Sequence, residues 1–145
     1  MKAFLFCLLA ATPVAAQPLR LTARLEESPI RLGTIPLFEL KVSNSGQETV
    51  VFEYYRPTFW YPLVKDSRGK QYSAQFPPYD GPAQKVRLTL RPGQSQLLQS
   101  NRCLFTQQPG KPDEAFIQLS PGLYSIHFEI EKLRSPAIQA TVVAR

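Results

Sequence analysis

Residues 124 to 131 read Tyr124-Ser125-Ile126-His127-Phe128-Glu129-Ile130-Glu131. Tyr124, Ile126, Phe128 and Ile130 fall on one side of an extended chain, and Ser125, His127, Glu129 and Glu131 on the other. Apolar residues spaced by two describe a strand with one face on a core and one in water, as in antiparallel sheets. The same period recurs in both directions along the chain. Leu19, Leu21, Ala23 and Leu25 alternate with charged and polar neighbours, as do Phe38, Leu40 and Val42. Val50, Phe52 and Tyr54 oppose Val51, Glu53 and Tyr55, while Val86, Leu88 and Leu90 oppose Lys85, Arg87 and Thr89. Ile138, Ala140 and Val142 complete the series.

The residues between these runs fit the same picture. All 7 glycines lie outside the strand cores, and 14 prolines in 145 residues disfavour a helical bundle. Asn44-Ser45-Gly46 and Asp66-Ser67-Arg68-Gly69 read as hairpin-type turns. Pro92-Gly93 and Pro121-Gly122 suit the centre of type II turns, where Gly supplies the positive φ. Residues 94 to 108 lack Gly and Pro, and Leu97, Leu98, Leu104 and Phe105 could share a helix face. We read that stretch as a strand near 94 to 100 followed by a loop. The expected fold is all-β, an antiparallel β-sandwich of about seven to nine short strands.

The first 16 residues stand apart. Lys2, the apolar run Ala3 to Ala11, and small residues at Val14 and Ala16 form a secretory signal peptide cleaved after Ala16. The run is too short to span a bilayer, which takes roughly 20 apolar residues, so no transmembrane anchor is expected. Cys7 leaves with the signal, and Cys103 remains as a lone cysteine with no intramolecular disulfide to make. The domain is residues 17–145, and removal of Lys2 lowers the net charge from +6 to +5. Its location is periplasmic or secreted. The basic residues are scattered rather than clustered, so nucleic acid is not an expected partner.

Several phrases together resemble a known family. They are Val42-Ser43-Asn44-Ser45-Gly46, Leu63-Val64-Lys65-Asp66-Ser67-Arg68-Gly69-Lys70-Gln71-Tyr72, Leu90-Arg91-Pro92-Gly93-Gln94-Ser95, and Leu119-Ser120-Pro121-Gly122-Leu123-Tyr124. These resemble exported bacterial immunoglobulin-like domains, and are similar to the BsuPI-type proteinase inhibitor domain, over residues 36 to 131. The resemblance implies an immunoglobulin-like sandwich and, as an alternative function, proteinase inhibition. Its motifs are turn and core signatures, and none of them matches an inhibitory residue position by position.

Catalytic and metal chemistry find little to work with. His127 is the single histidine, placed by alternation on the solvated strand face between Ser125 and Glu129, each about 7 Å along that face. A zinc or blue-copper site needs more His and Cys ligands than Cys103 and His127 supply. Glu26-Glu27 and Asp113-Glu114 lack the oxygen-rich spacing of a calcium loop. No enzyme activity, cofactor or metal is expected, and Cys103 reads as a small buried hydrophobe.

One segment points to recognition. Tyr54-Tyr55-Arg56-Pro57-Thr58-Phe59-Trp60-Tyr61-Pro62 holds five aromatics stiffened by two prolines, and Phe76-Pro77-Pro78-Tyr79-Asp80-Gly81-Pro82 follows as a second rigid loop. Tyr, Trp and Arg are the residues enriched at binding hot spots. The expected partner-binding residues are Tyr55, Arg56, Phe59, Trp60 and Tyr61, against the alternative that these rings fill a core. The expected function is a non-catalytic interaction module for an envelope or extracellular protein, with carbohydrate binding as a further alternative.

Overall fold

The computed structural model describes residues 17–56, 62–77, 81–98 and 103–145. Every regular element among them is a strand, so the protein is all-β. The strands are β1 (Leu19–Leu25), β2 (Ile30–Arg31), β3 (Phe38–Asn44), β4 (Val50–Arg56), β5 (Leu63–Asp66), β6 (Gln71–Tyr72) and β7 (Gln84–Leu90). They continue with β8 (Ser95–Leu98), β9 (Leu104–Thr106), β10 (Phe116–Gln118), β11 (Gly122–His127), β12 (Glu129–Ile130), β13 (Leu133–Arg134) and β14 (Ile138–Val143). The segments outnumber the seven to nine expected because the run over 124 to 131 is split into β11 and β12, and because two- and three-residue segments such as β2, β6, β9, β10 and β13 pair outside the alternating runs.

One sheet has the order β2-β14-β11-β5-β6, antiparallel throughout except for the parallel pair β2 and β14. A second has the order β1-β3-β8. Pairs β4–β7, β12–β13 and the parallel pair β9–β10 complete the set. Buried side chains from both larger sheets join a single core. The Phe38 ring of β3 meets Phe128, just past β11, edge-on at 5.1 Å, and lies 6.3 Å from Phe105 of β9. Several sheets closing on one apolar core is the arrangement a β-sandwich requires.

β3 and β4 together face β8 and β7 together. Leu40 lies opposite Leu98 and Ser43 opposite Ser95, and past a corner Val50 lies opposite Leu90 and Arg56 opposite Gln84. The result is a long antiparallel ribbon bent in the middle. Asn44 sits in the bend, 1% exposed, with its hydrogen-bonding groups engaged. Its backbone N–H donates to the Gln94 carbonyl at 2.9 Å, and its carbonyl accepts from Gly93 N–H at 2.8 Å. Its Nδ2 donates to the carbonyls of Glu48 (2.7 Å) and Leu90 (2.8 Å), and its Oδ1 accepts from Gly46 N–H at 2.9 Å.

This corrects the reading of Asn44-Ser45-Gly46 as a hairpin-type turn. β3 and β4, which it joins, do not pair with one another, so the segment is a corner held by a side chain. The turn at Pro121-Gly122 is also corrected: Gly122 has no positive φ and already belongs to β11, opposite Val142.

Two other turns behave as expected. Gln94 N–H donates to the Arg91 carbonyl at 2.9 Å around Pro92-Gly93, with Gly93 at φ +74°. Asp66 and Gly69 close the β5–β6 hairpin, where Asp66 Oδ1 accepts from the N–H groups of Arg68 (2.9 Å) and Lys70 (3.0 Å). The stretch after Pro92-Gly93 forms β8, as read. Leu104 and Phe105, however, lie in β9 rather than in a loop, because they pair with β10.

Candidate binding surface

β4 carries the candidate site outward. Its alternation buries Phe52 and Tyr54 and exposes Val51, Glu53 and Tyr55, as the sequence predicts. Tyr55 is 51% exposed and lies opposite Lys85. Glu53 beside it accepts a 2.7 Å ion pair from Lys85 Nζ, and Arg87 Nε lies 3.9 Å away. The hydrogen bond from Lys85 is the main cause that holds the Glu53 carboxyl below its ordinary value, and the Lys85 ammonium is raised in turn. The ribbon therefore presents an aromatic ring beside a charge cluster of one carboxylate and two cations. Such exposed pairs add little to stability, since solvent screens them.

Of the other expected site residues, Arg56 has its backbone in β4 opposite Gln84, and its side chain lies outside the described residues. Phe59, Trp60 and Tyr61 also lie outside them. Immediately beyond, Pro62 and Val64 are buried. In the second aromatic loop Phe76 is exposed.

A cleft of about 420 Å³ lies along the same strand and was not anticipated from the sequence. Leu19, Val50, Phe52 and Leu133 supply apolar walls, while Glu53, Glu131 and Lys132 also line it. It draws on the start of β1, on β4, and on the turn between β12 and β13. No local pattern could reveal it, because those segments are far apart in sequence. Glu131 occupies the first central position of that two-residue turn with φ +53°, a conformation that costs a residue with a side chain roughly 1–2 kcal/mol.

His127 departs from its expected place. It is 4% exposed rather than solvated, and its neighbours Ile126 and Phe128 are buried as well. Strict alternation stops where β11 ends. Phe128 bonds to Ser135 instead of a strand, donating its N–H to Ser135 Oγ at 3.0 Å and accepting from Ser135 N–H at 2.9 Å. That irregular residue brings His127 Nε2 to 3.7 Å from Glu129 Oε1, closer than the strand spacing predicts. Glu129 is shared with Arg134 Nη1 at 3.5 Å. Burial, followed by the Arg134 charge, holds the imidazole below its ordinary value despite Glu129. The ring is thus a neutral core member at pH 7. Cys103 is fully buried, and desolvation pushes its thiol up to about 12, the behaviour of an inert packing residue.

Among the described residues, no group of three or more His, Cys, Asp or Glu could hold a metal ion. No helix among them is long and apolar enough to cross a membrane. No family model matches the chain. No curated protein matches it either. Among solved structures, a novel β-glucosidase from Erythrobacter marinus aligns at 13% identity over 86% of this chain, with a TM-score of 0.44. The chain spans 15% of that enzyme's length.

Proposed function

We propose that this chain is an exported, non-catalytic binding module that recognises a protein partner in the periplasm or outside the cell. The signal peptide is removed after Ala16, and residues 17–145 form an immunoglobulin-like sandwich. Two features support that fold type. Tyr124, near the start of β11, donates its hydroxyl to the Ser120 carbonyl four residues upstream at 2.8 Å, the arrangement known as a tyrosine corner. The neighbourhood of β14, β11 and β5 in one sheet matches the G, F and C strands of such domains.

The observation that carries the functional reading is Tyr55, a large ring left half in solvent on a paired strand leading into Arg56, Phe59, Trp60 and Tyr61. A rigid aromatic on a strand loses little entropy on binding and offers roughly 150–250 Å² of surface.

The test is a crosslinking capture from cell-envelope extract, with the partner then purified and its affinity measured. Tyr55→Ala and the Phe59→Ala, Trp60→Ala double variant are compared with the wild type. A hot-spot residue costs about 2 kcal/mol, roughly thirtyfold in Kd. Unchanged affinity in both folded variants would place the binding surface elsewhere and reject this site.

A further inference from the structure

Gln17 lines the cleft and is itself exposed. The residue after it is pinned. The Pro18 carbonyl accepts from Ser45 N–H at 2.7 Å and from Ser45 Oγ at 3.1 Å. Pro18 also lies so close to Gly46 that a Cβ on that glycine would meet Pro18 Cβ at 2.7 Å. Leu19 is then held in β1 opposite Asn44. The Gln17 side chain has no such tie, since no hydrogen bond to a described residue holds its amide.

We propose that Gln17 is a modification site: once residues 1–16 are removed, its side chain closes on its own α-amine to give pyroglutamate, and the uncharged ring seats in the cleft. The proposal rests on cleavage after Ala16. In the step, the α-nitrogen attacks the side-chain Cδ and forms a lactam. The Cδ–Nε2 bond breaks, and Nε2 leaves as ammonia with the proton that the α-nitrogen gives up. No oxidant or co-reactant is consumed.

The surroundings favour the closed form. An open N-terminus would place an ammonium beside Glu53, Glu131 and Lys132, and Glu53 already serves Lys85 and Arg87. Two carboxylates thus face three cations, which leaves little attraction for a fourth. A lactam carries no charge and turns its methylenes to the apolar walls formed by Leu19, Val50, Phe52 and Leu133. The competing attack, by the same amine on the Pro18 carbonyl, would have to expel Leu19, which the β1–β3 ladder holds in place. Pro18 makes the first peptide bond a tertiary amide, a poor substrate for general aminopeptidases, so Gln17 persists long enough to close.

The test uses the whole chain, residues 1–145, expressed in a host that exports it. The processed protein is kept at about pH 8, the ordinary range of an α-amine, and the mass of its N-terminal peptide is followed. That peptide should begin at Gln17, be lighter than its sequence by one ammonia, and resist stepwise N-terminal sequencing. Gln17→Ser cannot close and should keep its full mass. The closed wild type should unfold at a urea midpoint roughly 0.3 M above that variant, the size expected from partial burial of one small ring. Gln17→Glu, which must expel water and closes far more slowly, replaces the serine variant if that one is not processed or does not fold. A chain that begins at Gln17 and keeps its full mass would overturn the modification and leave cleavage after Ala16 standing. Release of a cyclic Gln17-Pro18 dipeptide, with Leu19 left as the first residue, would overturn it as well. A chain that begins at any other residue would overturn the cleavage too. Equal midpoints would overturn the seating of the ring in the cleft.

Discussion

Asn44→Ala should be among the most damaging single changes in this protein, and its cost can be built up bond by bond. The substitution removes two donors and one acceptor that serve Glu48, Leu90 and Gly46 at 2.7, 2.8 and 2.9 Å. Each intramolecular hydrogen bond has a net worth of about 0.5–1.5 kcal/mol, and a buried group left unpaired costs about 1–3 kcal/mol. The Leu90 bond is fully buried, so its carbonyl finds no replacement; the other two groups are partly accessible and hydrate. The sum is about 2–4 kcal/mol. In urea, with a slope of about 2 kcal/mol/M, the midpoint should fall by roughly 1–2 M at unchanged slope. Asn44→Asp keeps the acceptor for Gly46 but aims a carboxylate at two carbonyls, and should do at least as much harm at pH 7. A loss below about 0.5 kcal/mol for Asn44→Ala would refute the argument, showing that backbone bonds alone hold the bend.

Two further outcomes follow from backbone conformation and titration. Gly93→Ala should cost about 1–2 kcal/mol in urea unfolding: φ is +74°, and a Cβ there meets nothing within 4 Å, so the penalty is conformational rather than steric. For His127 the folded value lies below that of the unfolded chain, so the unfolded chain takes up its proton first as pH falls. Stability should then decline as pH drops through the unfolded value near 6.5 and towards the lower folded value. His127→Gln should flatten that decline between pH 7 and 5 in urea titrations; an unaltered slope would show that carboxylates alone govern it.

The alternation of apolar residues was enough to place most strands and to choose the buried face correctly at Phe38, Leu40, Val42, Phe52, Tyr54, Ile126 and Val142. That works because period two is a property of each strand by itself. Pairing is not. Asn44-Ser45-Gly46 has the composition of a hairpin turn, yet Leu90, 46 residues away, decides that it is a corner. His127 escaped for a related reason: the interruption at Phe128 depends on Ser135, which no local period reports. For the candidate site, Tyr55 was legible as outward-facing from strand phase alone. The cleft beside it was not, because Leu19, Phe52 and Leu133 come together only when three separate parts of the chain are folded.

The parallel pairing of β2 with β14 bears on how the molecule is made. Ile30 lies opposite Val142 and Arg31 opposite Val143, so the first strand of the larger sheet is attached to one made more than a hundred residues later. During translation, Ile30 has no sheet to join until residues 138–143 have appeared, and β11 meanwhile lacks its neighbour on that side. Contacts between such distant segments form slowly, because a long loop must close before they reward the chain. Closure of that side of the sheet is thereby deferred until synthesis has passed residue 143.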